Sequence, residues 1–281
     1  MKSKTSHQSD ENLALKTQFP FAQSIVVGFQ NFHDKTVIRM NEIVTGITQA
    51  FQLIVTLNPE VLHIAALSVY ISLMATILAA CISIPIGGLI HFREFRGKRT
   101  LKLIIQTLYS VPTVVVGLLL YLLLSRSGPL GFFGLLFTPE GMIAGQTILI
   151  IPITTGLVIS ALSGVDRNIS DTLVSLGATE FQSITQIVKE ARLAILSAVI
   201  LAFGRAISEV GVAMMIGGNI AGQTRVLTTA IALQTGMGDF GFSIALGIIL
   251  LVIALVIVVA MNLITTGLSP EHQKILGGPR S

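Results

Sequence analysis

The chain is 281 residues long, 52% of them hydrophobic and 11% charged, with a formal net charge of +4 and a mean hydropathy of +0.82. Charged residues make up about a quarter of an ordinary soluble domain, so this balance excludes that class and makes a lipid bilayer the expected solvent. The single cysteine, Cys81, lies inside an apolar run, which excludes a disulfide framework and a cysteine-based metal site and leaves a small packing residue.

Residues 1–41 open with MKSKTSHQSDENLALK, which lacks the apolar core and cleavage pattern of a signal peptide. They are expected to form a polar N-terminal extension. Residues 42–60 contain the apolar run IVTGITQAFQLIVTL, too short for an untilted crossing, which takes about 20 helical residues. An amphipathic or partly inserted helix is expected there, with a short sixth span as the alternative.

From residue 61 to 266 the chain is punctuated into long stretches with almost no charge. Val61 to Phe92, Leu103 to Ser125, Gly141 to Val165 and Phe240 to Pro270 contain no Asp, Glu, Lys or Arg, and Leu193 to Thr224 holds only Arg205 and Glu209. Five spans are expected near 62–90, 103–125, 142–164, 193–217 and 241–265, each helical because unpaired backbone groups are costly in lipid. Pro85, Pro112 and Pro152 mark kinks or unwound points. The fold class is therefore all-α integral membrane.

Basic residues set the orientation, since Lys and Arg collect on the cytoplasmic side. Arg93, Arg96, Lys98, Arg99 and Lys102 follow the first span, and Arg167, Lys189 and Arg192 lie between the third and fourth. The loops 126–140 and 225–239 hold only Arg126 and Arg225. The first set is assigned to the cytoplasm together with the tail, 267–281, which carries Lys274 and Arg280. The basic residues of the N-terminal extension conflict with an external N-terminus, and only the sixth-span alternative would remove the conflict.

Residues 168–192 have the local grammar of two short helices. Asn168 or Ser170 is placed to cap the first, Leu173 and Leu176 give it apolar contacts, and Gly177 suits the left-handed turn that ends it. Thr179 and Gln182 form a capping box for the second, whose Phe181, Ile184, Ile187 and Val188 make an apolar stripe. Spacing alone leaves open a plain connector or a docking surface. In the fourth span, Arg205 and Glu209 lie four residues apart on one helix face with Ser208 beside them. A charge at that depth costs about 2.5 to 3.5 kcal/mol, so the pair is either a structural ion pair or part of a translocation path or gate. Beyond it, Gly211, Gly217, Gly218 and Gly222 allow close approach or unwound backbone, and Asn219, Gln223, Thr224, Arg225, Thr228 and Thr229 supply donors toward the outer end.

The segment 168–192 resembles the coupling loop of ABC importer permeases, Glu-Ala-Ala, three residues, Gly, nine residues, Ile, one residue, Leu-Pro. Asp171, Thr172 and Leu173 stand at the first three positions, Gly177 at the glycine and Ile187 at the isoleucine, while Lys189 and Glu190 replace Leu-Pro. The stretches GRAISEVGVAMMIGGNIAGQTRVLTTAIALQT, VPTVVVGLLLYLLLSRSGPLG and LLFTPEGMIAGQTILIIPI are similar to the permeases of the tungstate, molybdate and sulfate importers, above all the tungstate type. The resemblance covers about residue 42 to residue 265.

It implies a type I permease core that acts as a homodimer in the inner membrane, spanning it several times. A cytoplasmic ATPase would bind the loop around Asp171, Thr172, Leu173, Gly177, Ala178, Thr179 and Ile187, and an extracytoplasmic binding protein would deliver the oxyanion. Arg205, Ser208, Glu209, Asn219, Thr224 and Arg225 are the candidates for the path or gate. The chain has no GxxxxGK[ST] phosphate loop, so ATP and magnesium are assigned to the partner ATPase, and no cofactor, metal or nucleic acid is expected on this chain. The same architecture carrying molybdate or sulfate is one alternative. An ion-coupled secondary transporter is another, opposed by the lack of an internal repeat. A membrane enzyme is opposed by His7, His33, His63, His91 and His272 being scattered, with no HExxH motif.

Overall fold

The computed structural model describes residues 41–56 and 58–267, and among these there is helix but no strand. The helices are α1 (41–55), α2 (Pro59–Phe92), α3 (Lys98–Leu108), α4 (Thr113–Leu124), α5 (Pro139–Ser163), α6 (Arg167–Ser175), α7 (Glu180–Glu190), α8 (Arg192–Ile207), α9 (Gly211–Gly217), α10 (Leu227–Met237) and α11 (Phe240–Gly267). The N-terminal extension before residue 41 and the tail beyond 267 lie outside the described residues.

Two of the longest helices start from the same local instruction. Asn58, Pro59 and Glu60 begin α2, with the Asn58 side chain accepting from the Glu60 and Val61 amides at 3.0 and 3.3 Å. Thr138, Pro139 and Glu140 begin α5, with the Thr138 hydroxyl accepting from the Gly141 amide at 3.1 Å. The cap satisfies free donors, proline occupies a position whose N–H would be unpaired, and the acid sits against the positive end of the helix.

These two helices form the centre of the bundle. The face of α2 toward it carries Ser72, Ala75, Thr76, Ala79, Ala80, Ser83 and Gly87, all buried. Small side chains at that spacing let two helices approach closely in lipid, where packing replaces the hydrophobic effect. The Ser83 hydroxyl donates to the Ile151 carbonyl at 3.1 Å, and a Cβ on Gly87 would come within 2.8 Å of Val158. Pro85 and Pro152 lie inside α2 and α5, and both remain single helices.

Pro112 behaves differently. The run Leu103 to Ser125 is two helices, α3 and α4, meeting at 95°. The first carries Lys98, Arg99 and Lys102 in its opening turns and buries only Ile105, and the second, with 12 residues, is too short to cross alone. The fourth stretch is also divided, with α8 and α9 meeting at 57°. Among the described residues three helices, α2, α5 and the part of α11 up to Leu263, are long and apolar enough to cross a membrane alone, and the two bent pairs bring the possible crossings to five.

The expected helix over 42–60 ends early, because Asn58 restarts the chain as α2. Within α1, Gly46 and Ala50 are buried while Ile43, Val44, Ile47, Phe51, Ile54 and Val55 are exposed. Gly46 lies against Ile244 and the Gly241 carbonyl. The helix thus sets Gly46 against the start of α11 and leaves its large apolar residues exposed, interspersed with Thr45, Thr48 and Gln52.

Candidate functional site

The loop 93–97, which leads into α3, and the helix pair α6–α7 share one end of the bundle. His91, at the end of α2, meets the Ser163 hydroxyl at 3.2 Å, and a cavity of about 330 Å³ there is lined by His91, Phe92, Leu162, Ser163, Val165, Asp166 and Ile187. Lys98 donates to the His91 carbonyl at 2.8 Å and to Glu94 at 2.7 Å, which holds the Glu94 carboxyl below the ordinary carboxylate value.

Gly177 has φ of +74°, and Thr179 with Gln182 makes the reciprocal capping box at 3.3 and 2.8 Å. The start of α6 differs from expectation. Asp166, not Asn168 or Ser170, receives the Asn168 amide at 2.9 Å, because the helix begins earlier and places those two residues inside it. Asp171 and Thr172 are exposed, Leu173 and Ala178 half-buried, and the Thr172 hydroxyl bonds back to the Asn168 carbonyl.

The apolar stripe of this pair is divided in two. Ile187 and Val188 pack on Val158, Leu162, Ala191 and Ile195 and tie α7 to the bundle. Leu176 and Phe181, on either side of the Gly177–Thr179 turn, are 77% and 78% exposed. Neither serves the packing of this chain.

The second constellation surrounds the break between α8 and α9. Arg205 and Glu209 pair at 3.2 Å, the glutamate side chain 1% exposed and the arginine 40%. Glu209 lies just beyond the end of α8. Its Oε1 accepts from the Val212 amide at 3.2 Å, and its backbone carbonyl accepts from the Thr228 hydroxyl at 2.9 Å. Breaking a helix in lipid frees backbone groups that must find partners, and these contacts satisfy one donor and one acceptor of the break. Ser208 is exposed and bonds only to the Gly204 and Arg205 carbonyls. Leu201, Arg205 and Ser208 form a stripe that no other described residue covers, and Met214 beyond the break is also exposed.

The outer residues do not join that stripe. Thr224 is fully buried, donates to the Gly217 carbonyl and accepts from the Ile220 amide, and so holds the turn between α9 and α10. Arg225 approaches Glu60 at 4.0 Å with its Nε buried and unbonded, and Asn219, at φ +53°, has a buried Oδ1 without a partner. Sequence reasoning passed over Gln146, a buried α5 residue whose Oε1 lacks a partner, and Ser68, whose hydroxyl accepts from the Leu227 amide at 2.8 Å. A lone polar residue in an apolar run was the available signal for both. Among the described residues no group of three His, Cys, Asp or Glu is arranged to hold a metal.

A helical bundle with broken spans and a capped helix pair at its basic end is the architecture of an ABC importer permease. The chain superimposes on a chain of a bacterial alginate ABC transporter with a TM-score of 0.65 at 19% identity, covering 92% of this chain and 97% of that one. It also superimposes on the inward-facing MetNI methionine ABC transporter with a TM-score of 0.60 at 18% identity, covering 72% and 93%. Residues 83–270 match the family described as "Binding-protein-dependent transport system inner membrane component", and the chain belongs to that family. It is 43% identical over 218 residues to the "Tungstate uptake system permease protein TupB" of Peptoclostridium acidaminophilum, covering 78% of this chain and 96% of the relative. It is 44% identical to a "Probable anion ABC transporter permease protein" of Haloferax volcanii, covering 68% and 85%. With the Campylobacter jejuni protein also called TupB the identity is 40%, covering 77% and 91%. The chain is thus a multi-pass permease subunit of the inner membrane, and its transport system includes a separate ATPase and a substrate-binding protein.

Proposed function

We propose that the cargo is tungstate and that two copies of this chain form the translocation unit. The identities of 43% and 40% to the two tungstate uptake permeases carry the choice of ion. The uncovered stripe supports the dimer. Arg205 is 40% exposed in the single chain, and a guanidinium facing lipid would cost about 2.5 to 3.5 kcal/mol. A second copy that encloses an aqueous path removes that cost.

In this reading the end bearing Arg93, Arg96, Lys98 and α6–α7 faces the cytoplasm, by the usual bias of basic residues, and the C-terminus lies on the same side. The ATPase takes the turn between Leu176 and Phe181 into an apolar groove, and its closure on ATP draws α6–α7 with it. Ile187 and Val188 pass that displacement to α5 and α8. The dimer opens outward, accepts the ion from the binding protein near Arg225, and closes outward again on hydrolysis. Arg205 and Ser208 offer a weak, transient contact, since a tight site would trap the ion. Asn219, Thr224 and Arg225 shape the outer mouth, Thr224 through the turn that it holds.

Reconstitution tests the reading. The permease with its ATPase and binding protein in proteoliposomes should take up tungstate in an ATP-dependent manner, and more strongly than molybdate or sulfate at equal concentration. Equal uptake of all three would remove the assignment of the ion. Uptake by the permease alone would replace the mechanism with an ion-coupled one.

A further inference from the structure

The two broken spans meet at their breaks. Gly211, the first residue of α9, lies so near the start of α4 that a Cβ on it would stand 2.7 Å from Thr113 Oγ1 and 2.9 Å from the Val114 nitrogen. Gly117 of α4 reciprocates, since a Cβ there would stand 3.1 Å from the Val212 Cα and from the Met215 Cβ. Neither glycine has a positive φ, so close approach of the two helices is what requires them.

The contact continues beyond the breaks. Leu124 of α4 clusters with Val212 and Ile216 of α9, with Val116 and Leu120 packed alongside. The Phe137 amide donates to the Ile216 carbonyl at 2.8 Å, and the Phe137 ring covers Gly218. The segments before the breaks are anchored elsewhere. In α3, Ile105 packs with Ile90 and Ile159, and in α8, Ala202 and Ala206 pack with Ile71 and Ala75. α9 also borders the central helices, with Ala213 in the central cluster, Leu149 of α5 beside Val212 and Ile216, Gly145 under those two residues and Met142 against Gly217.

The joints are unequal. Residues 109–112 end in Pro112, which has no N–H, and no side chain caps α4. Residues 208–210 are held by Glu209, which reaches back to Arg205 in α8 and forward to Val212 in α9. A change in the angle between α8 and α9 acts on those two contacts and on the bond from Thr228 to the Glu209 carbonyl.

We propose that α4 and α9 form one rigid wing that swings about both breaks together during transport, with Glu209 as the clasp that sets its resting angle. The proposal rests on the permease reading, because the motion belongs to the transport cycle.

Spin-label distances test it in the intact complex with its ATPase and binding protein in lipid nanodiscs. The background is Cys81→Ser, because Cys81 is exposed. One label pair, Leu103→Cys with Leu122→Cys, spans the first break, and another, Leu201→Cys with Met214→Cys, spans the second. Labelled chains are diluted with unlabelled ones so that only distances within one chain are read. Both distances should shift together between the nucleotide-free and the vanadate-trapped states. Glu209→Gln should shift the resting distance across the first break as well, although Glu209 does not touch it. Gly211→Ala, which wedges the two helices apart, should do the same and serves if Glu209→Gln does not assemble. Movement at one break alone, or no shift across the first break in either variant, overturns the proposal. ATP-dependent uptake by the wild-type complex is measured in parallel, so that failure of the permease reading is seen separately.

Discussion

The turn at Gly177 and the break at Glu209 are both interruptions of helix, and they are finished in opposite ways. At Gly177 the turn is closed by local bonds, among them the Thr179–Gln182 box, yet Leu176 and Phe181 are left bare on either side. At Glu209 the backbone amide donates to the Ala206 carbonyl and the backbone carbonyl accepts from Thr228 of α10, while the carboxylate, 1% exposed, accepts from the Val212 amide of α9. In the reading proposed above, the first interruption offers Leu176 and Phe181 to the ATPase. The second is completed among the described residues of the chain, with Arg205 and Ser208 left accessible beside it. In the proposed mechanism the first kind receives the drive and the second borders the path.

The largest expected effect breaks the self-contained site. Glu209→Gln strands the Arg205 charge and weakens the cap on Val212, at a cost of about 3 kcal/mol in detergent unfolding. The double change Arg205→Met with Glu209→Gln should recover more than half of it. If the double variant is stable yet transports nothing, the pair serves the path as well as the fold.

Gly177→Val attacks the other interruption. A left-handed backbone costs a β-branched residue about 1 to 2 kcal/mol or more, although no atom lies within 4 Å of the added Cβ. Insertion should be normal and ATP hydrolysis should persist in the complex, while uptake falls at least tenfold. Normal uptake would sink the coupling assignment.

Phe181→Ser separates partner from fold. Stability of the isolated permease should stay within about 0.5 kcal/mol, as for most surface changes, while the fraction of ATPase that co-purifies should fall severalfold. A drop in stability with unchanged co-purification would place Phe181 in the bundle instead. The smallest effect belongs to Glu94. Its lowered carboxyl contributes stability above the ordinary carboxylate value and loses it as pH falls through the lowered one. Glu94→Gln should therefore leave thermal melting at neutral pH nearly unchanged, because the group is exposed and its pair with Lys98 is solvated, and should flatten the slope on the acid side.

Legibility followed the range of the forces. The Gly177 turn and the Thr179–Gln182 box were readable because both are settled within four residues. The Arg205–Glu209 pair was readable from its spacing of four, although the helix on which both were expected ends at Ile207 and leaves Glu209 in the break. The true cap of α6 was missed by a few positions, since Asp166, Asn168 and Ser170 all suit that role and only the trajectory out of α5 decides among them. The split of the apolar stripe could not be read, because Ile187 and Phe181 look alike until the position of α5 is known. The 95° bend at Pro112 was visible as a proline, yet Pro85 and Pro152 look the same in sequence and leave their helices whole. The difference lies in packing, with α2 and α5 pressed together along their length and α3 and α4 bound to different neighbours.

The caps that start α2 and α5 bear on how the protein is made. Asn58, Pro59 and Glu60, like Thr138, Pro139 and Glu140, complete their contacts within three residues and need no neighbour. As each segment leaves the ribosome, every partner of its cap is already within reach. Where α2 and α5 begin is thus decided locally, whereas the bent spans depend on residues as far apart in the chain as Gly211 and Thr113.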